Sequence, residues 1–99
     1  MIGHALVEAR LAACANILDP MTSVYWWDGA VQEGQETVLI AKTVAGQVDA
    51  LTERVRDLHS YDCPCIVSVP IDGGNSAFLD WIGAETADAP PRANENGES

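Results

Sequence analysis

Ninety-nine residues with 47% apolar side chains can build one small domain with a single core, and a chain this short leaves much of its surface exposed unless it oligomerises. Fifteen acidic against five basic side chains give a formal charge of -10, a field that repels DNA, RNA and anionic lipid, so neither nucleic acid nor a membrane is an expected partner. That field concentrates cations, but a solvated acidic surface is also a common solubility device.

No run approaches the ~18 consecutive apolar residues of a membrane span, and the start lacks the basic and then apolar pattern of a signal peptide. The expected compartment is the cytoplasm. The three cysteines have no disulfide-framework spacing, which fits a reducing interior.

In chain order, Ile2, Ala5, Leu6, Ala9 and Ala13 recur at helical spacing with His4, Glu8 and Arg10 off the stripe, which predicts a helix from about Gly3 to Ala13. In "SVYWWDGAVQ", Val24 to Trp27 are strand formers and Asp28-Gly29 supplies the positive φ of a tight hairpin turn. The returning strand runs from about Val31 to Thr43, with Gly34 expected as a bulge and with Val38 and Ile40 opposite Leu39 and Ala41. Val48, Leu51, Val55 and Leu58 mark a second amphipathic helix whose other faces carry Asp49, Glu53, Arg54, Arg56 and Asp57. "CIVSVPI" reads as a short strand with Pro64 at its start or on a sheet edge, and Gly73-Gly74 as a turn. A last helix, "SAFLDWIGAE", places Phe78, Trp81 and Ile82 on one side. From Ala87 to Ser99 the composition is that of a disordered acidic tail, so residues 1–86 form the single domain. There are no internal repeats.

The order helix, strand, strand, helix, strand, helix implies an α+β sandwich with helices on one face of a mostly antiparallel sheet. A ferredoxin-like split βαβ needs one further strand before the first helix.

Taken together, "ALVEARLAACANI", "TSVYWWDGAVQE", "LIAKT", "LHSYDCPCIVSVPI" and "FLDWI" resemble, in order and spacing, the CutA divalent-cation-tolerance proteins over nearly everything from Ala5 to Ile82. The resemblance implies a ferredoxin-like βαββαβ subunit, a compact homotrimer built through long hairpin strands, kinship with the PII signalling fold and a role in tolerance or binding of copper and other divalent metals. It implies no enzymatic activity. The family's first strand, central in the sheet, would precede Met1. The mutual consistency of the other pieces leads us to expect a start upstream. A thiol that the family carries on that strand, and to which part of its metal binding is attributed, has no counterpart here.

Where the family usually reads His-Pro-Tyr-Glu-x-Pro-Glu, this chain has His59, Ser60, Tyr61, Asp62, Cys63, Pro64 and Cys65. His59, Tyr61 and Pro64 match, and a thiol replaces the last carboxylate. Where some members carry paired histidines, Leu58 precedes His59, so only His59 inherits a ligand role. Asp28 and Ala30 stand where Glu and Lys are usual around the hairpin glycine, a surface difference.

Cys63 and Cys65 lie on one side of an extended chain with His59 just upstream, three candidate ligands of the soft and imidazole type that suit Cu or Zn. One Cys-x-Cys is weak evidence, and both thiols could equally be small packing residues. A disulfide between them is geometrically poor. Cys14 reads as a core residue and His4 as solvated. Trp26, Trp27 and Trp81 read as trimer-interface residues. Lys42 either snorkels or, in the alternative of a PII-like module, holds a small anionic metabolite between subunits near Tyr61 and Trp81.

Catalysis has least support. His59 and Cys63 are the only nearby base and nucleophile, no phosphate loop, nucleophile elbow or zinc-protease motif is present, and the arginine loop of acylphosphatases has no counterpart. The expected function is therefore metal coordination by His59, Cys63 and Cys65 with no organic cofactor, or else a structural trimer with incidental metal affinity.

Overall fold

The computed structural model describes residues 2–59 and 65–87. Five segments carry regular α or β structure: α1 (Ile2–Glu8), β1 (Cys14–Trp27), β2 (Ala30–Lys42), α2 (Val48–Leu58) and α3 (Ser76–Glu85), with a 3-10 turn at Ala45–Gln47 leading into α2. The architecture is α+β with an antiparallel sheet, as the element order implied.

Helix α1 stops five residues short of the expected Ala13. Arg10 adopts φ 62°, and the Arg10 N–H donates to Val7 O (3.0 Å) while the Leu11 N–H donates to Leu6 O (3.0 Å). These two bonds form a Schellman cap, in which Arg10 holds the left-handed position that glycine usually takes. The cap brings Leu11 against Leu6, and both are buried. The alanines that continued the helical pattern instead lead into the sheet, where the Ala13 N–H donates to Lys42 O (2.8 Å).

The hairpin is longer than its aromatic tip indicated. β1 begins at Cys14, and β1 and β2 pair antiparallel from Cys14↔Lys42 to Trp27↔Ala30. Asp28 (φ 54°) and Gly29 (φ 78°) close it, both at positive φ as a primed two-residue turn requires. Gly34 is not the bulge: it pairs in register with Ser23, and the irregularity falls between Leu18 and Met21, where Asp19-Pro20, joined by a cis peptide, faces Thr37. Proline has no ladder N–H to give, so the extra residue collects there. The Thr37 hydroxyl donates to Asp19 Oδ1 (2.7 Å) and pins the bulge. Gly34 leaves room for the Tyr25 ring, whose Oη would lie 3.4 Å from an added Cβ.

The core forms where α1 and α2 cover the base of the hairpin: Leu6, Leu11, Ala12, Ala50 and Val55, flanked by Leu39, Ala41, Leu51 and Ile66. Gly3 lets α1 approach closely, since an added Cβ would meet Leu39 Cδ1 at 3.1 Å and Ala15 Cβ at 3.4 Å. α3 buries Ile82, whereas Phe78 and Trp81 stay partly exposed and stack on each other (centroids 5.6 Å apart). The Arg10 guanidinium donates to the Glu85 carboxylate and to Glu85 O (3.3 Å), tying the end of α3 to the end of α1.

Residues 65–71, expected as a strand, carry no regular structure. β-branched composition favours a strand only where a ladder partner is present, and among the described residues the sheet contains β1 and β2 alone. Val67 and Val69 are consequently about 80% exposed. No helix among the described residues is long and apolar enough to cross a membrane.

Candidate functional site

His59 ends α2. Its backbone turns extended (φ -84°, ψ 146°), and its N–H donates to Val55 O (2.8 Å), the last bond of the helix. The imidazole is thereby anchored to a rigid element and half-buried. Cys65 is a free, exposed thiol on the far side of residues 60–64. Cys63 and Tyr61, the other candidates of this stretch, lie outside the described residues. Among the described residues no group of three or more His, Cys, Asp or Glu side chains is gathered as a metal would require. In donor chemistry, the imidazole of His59 and the thiol of Cys65 fit a thiophilic or borderline metal.

Cys14, expected in the core, is half-buried at the start of β1, opposite Lys42. His4 has a partner after all: its Nδ1 lies 3.4 Å from Glu8 Oε1, one helical turn on, with both side chains exposed.

Lys42 does not simply reach for solvent. Its ammonium donates to Asn16 Oδ1 across the hairpin, which fixes the charge at the base of the sheet. Trp26 and Trp27 stand at the opposite end, 74% and 69% exposed, beside the turn. Twelve residues separate Ala30, the partner of Trp27, from Lys42, or ~40 Å of strand at the usual rise. One subunit therefore cannot gather Lys42 and these indoles into one pocket. Trp81 sits on α3, against Phe78.

Between β2, α2 and residues 65–68 lies a groove of about 480 Å³, floored by Leu6, Val48, Leu51 and Val55, with Glu36 and Thr43 on its β2 side. The Thr43 hydroxyl is buried without a hydrogen-bond partner among the described residues. Of the site residues read from sequence, Cys65 lines this groove, but the groove itself was not anticipated. Its one legible signal was the alternation of β2, which sends Leu39 and Ala41 towards the helices.

A family model described as "CutA1 divalent ion tolerance protein" matches residues 1–85. The chain is 49% identical over 85 residues to the divalent-cation tolerance protein CutA of Thermus thermophilus, covering 86% of this chain and 82% of that one. It is 44% identical over 88 residues to the chloroplastic protein CutA 1 of Oryza sativa subsp. japonica, covering 89% of this chain but only half the length of that relative. The solved structure of the Thermus thermophilus divalent cation tolerance protein superposes with a TM-score of 0.83 at 49% identity, over 86% of this chain and 82% of that chain.

Proposed function

The chain belongs to the CutA1 divalent ion tolerance protein family, and from that premise we propose that it serves in divalent-cation tolerance by binding copper or another divalent metal, without catalytic turnover. The observation that carries this reading is the match of residues 1–85 to a family described by that role. On this reading His59, Cys63 and Cys65 supply the ligands, with His59 held by the end of α2 and Cys65 open to an incoming ion. A bound zinc or copper ion would supply the coordination chemistry, and the cytoplasm would keep both thiols reduced.

The functional unit is a homotrimer. The distal hairpin supports this: Val24, Trp26, Trp27 and Val31 are each more than half exposed on a two-stranded arm, and such an arm is marginal in water until something covers it. A trimer also brings donors of neighbouring subunits within reach of one another, which would complete a ligand set that one subunit leaves short of the usual four.

The test is a competition titration of the reduced protein with Cu(I) and Zn(II) against a chelator, beside a Cys63→Ser/Cys65→Ser variant whose oligomeric state is checked by sedimentation. Loss of tight binding in a variant that keeps the oligomeric state of the parent is the expected result. Equal binding by both proteins would move the metal away from these thiols.

A further inference from the structure

Residues one helical turn apart share a face, and on α1 this brings the side chains of His4 and Glu8 together. That face is turned away from the core: Gly3 packs against Leu39 and Ala15, Leu6 is fully buried, and the side chains of His4 and Glu8 are 73% and 71% exposed. The close contact at Gly3 and the cap at Arg10 hold α1 on the hairpin, so the backbone that carries the two donors is seated before any ligand arrives.

The distance between the donors separates two uses of such a pair. His4 Nδ1 lies 3.4 Å from Glu8 Oε1, longer than the roughly 2.7–2.9 Å of a well-formed charged hydrogen bond. Two ligands at ~2.0–2.1 Å from a tetrahedral zinc ion stand about 3.3–3.4 Å apart, the edge of that tetrahedron. One imidazole nitrogen with one carboxylate oxygen suits Zn(II) or Cu(II), and the lack of sulfur disfavours Cu(I). Glu8 also borders a cleft of about 300 Å³ beside Arg10 and Glu85. The Arg10 guanidinium is held on the Glu85 carboxylate, which offsets its charge next to Glu8, and a chain of net charge -10 draws cations to its surface.

We propose that His4 Nδ1 and Glu8 Oε1 chelate a zinc or copper(II) ion on the outer face of α1, with water at the remaining positions. Among the described residues no third side-chain donor is gathered with them, so the site exchanges its ion and is not a closed structural centre. It is separate from His59, Cys63 and Cys65 and does not depend on them.

The test is a titration of the full 99-residue chain, carrying Cys63→Ser/Cys65→Ser to keep those thiols from taking the metal, with Zn(II) alone. It is followed by nuclear magnetic resonance of the imidazole nitrogens. The chain has two histidines, and a His4→Ala variant assigns their signals. A saturable shift of the His4 ring, largest at Nδ1, is the expected result. Glu8→Gln should weaken it at least about tenfold, since losing a ligand costs no less than losing a group that merely supports one. Glu53→Gln, which removes the same charge from the exposed face of α2, should change it by less than about twofold. No saturable shift at His4, or equal weakening by the two glutamine variants, would overturn the proposal.

Discussion

Arg10 shows how a single residue sets where a helix ends. A non-glycine side chain in the left-handed region costs about 1 kcal/mol relative to glycine, and here the strain is accepted at a cap that turns Leu11 onto Leu6. Its guanidinium recovers part of that cost on Glu85, in a half-exposed pair worth at most about 1 kcal/mol. Arg10→Gly should therefore be close to neutral, whereas Arg10→Ala keeps the strain and loses the ion pair. In urea unfolding, the glycine variant should exceed the alanine variant by about 1 kcal/mol. Equal stabilities would mean that the left-handed conformation is not the source of strain. No glycine or proline marks this cap in the sequence, and the alanines that follow continue a helical stripe, so the early end of α1 was not legible from spacing. The opposite holds at Asp28-Gly29. There the residue types themselves demand positive φ, and sequence and structure agree.

At the scale of elements, the hairpin depends on that turn and the core on one helix face. Gly29→Ala puts a side chain at φ 78° and should lower stability by about 1 kcal/mol, most of it as fraying of the hairpin tip, readable by hydrogen exchange at Tyr25 to Gln32. Leu6 is fully buried at the centre of a small core, so Leu6→Ala should cost about 2–5 kcal/mol, a large part of the stability of a domain this size. α2 and the apolar part of β2 were legible because much of their periodicity coincides with burial, at Val55, Leu39 and Ala41, whereas α3 was legible from its helical spacing although only Ile82 of its stripe is buried. The bulge was assigned to Gly34 because glycine is a common bulge residue, but Pro20 is the residue that cannot complete the ladder. In residues 65–71 the local preference for strand is real. A strand is a property of two segments, however, and one segment's composition cannot show whether its neighbour is there. The site residues divide the same way: His59 falls at the expected end of α2, and the separation of Lys42 from Trp26 and Trp27 emerges only once the hairpin's full length is known.

For the whole molecule, the exposed arm and the acidic surface pull in opposite directions. Covering Val24, Trp26, Trp27 and Val31 would favour the proposed assembly, while a charge of -10 on each chain would oppose it. Raising ionic strength from about 0.01 M to 0.15 M shortens the screening length from ~30 to ~8 Å and should tighten self-association, as sedimentation equilibrium would detect. Trp26→Ser/Trp27→Ser should shift the same measurement towards monomer. On the proposed reading, this member of the CutA1 family would hold a metal through thiolate and imidazole. The most direct measurement is X-ray absorption fine structure at the zinc edge of the loaded protein, with the Cys63→Ser/Cys65→Ser variant alongside. Sulfur scatterers at about 2.3 Å that vanish in the variant are the predicted result, and a shell of only nitrogen and oxygen near 2.0–2.1 Å in the unaltered protein would contradict it.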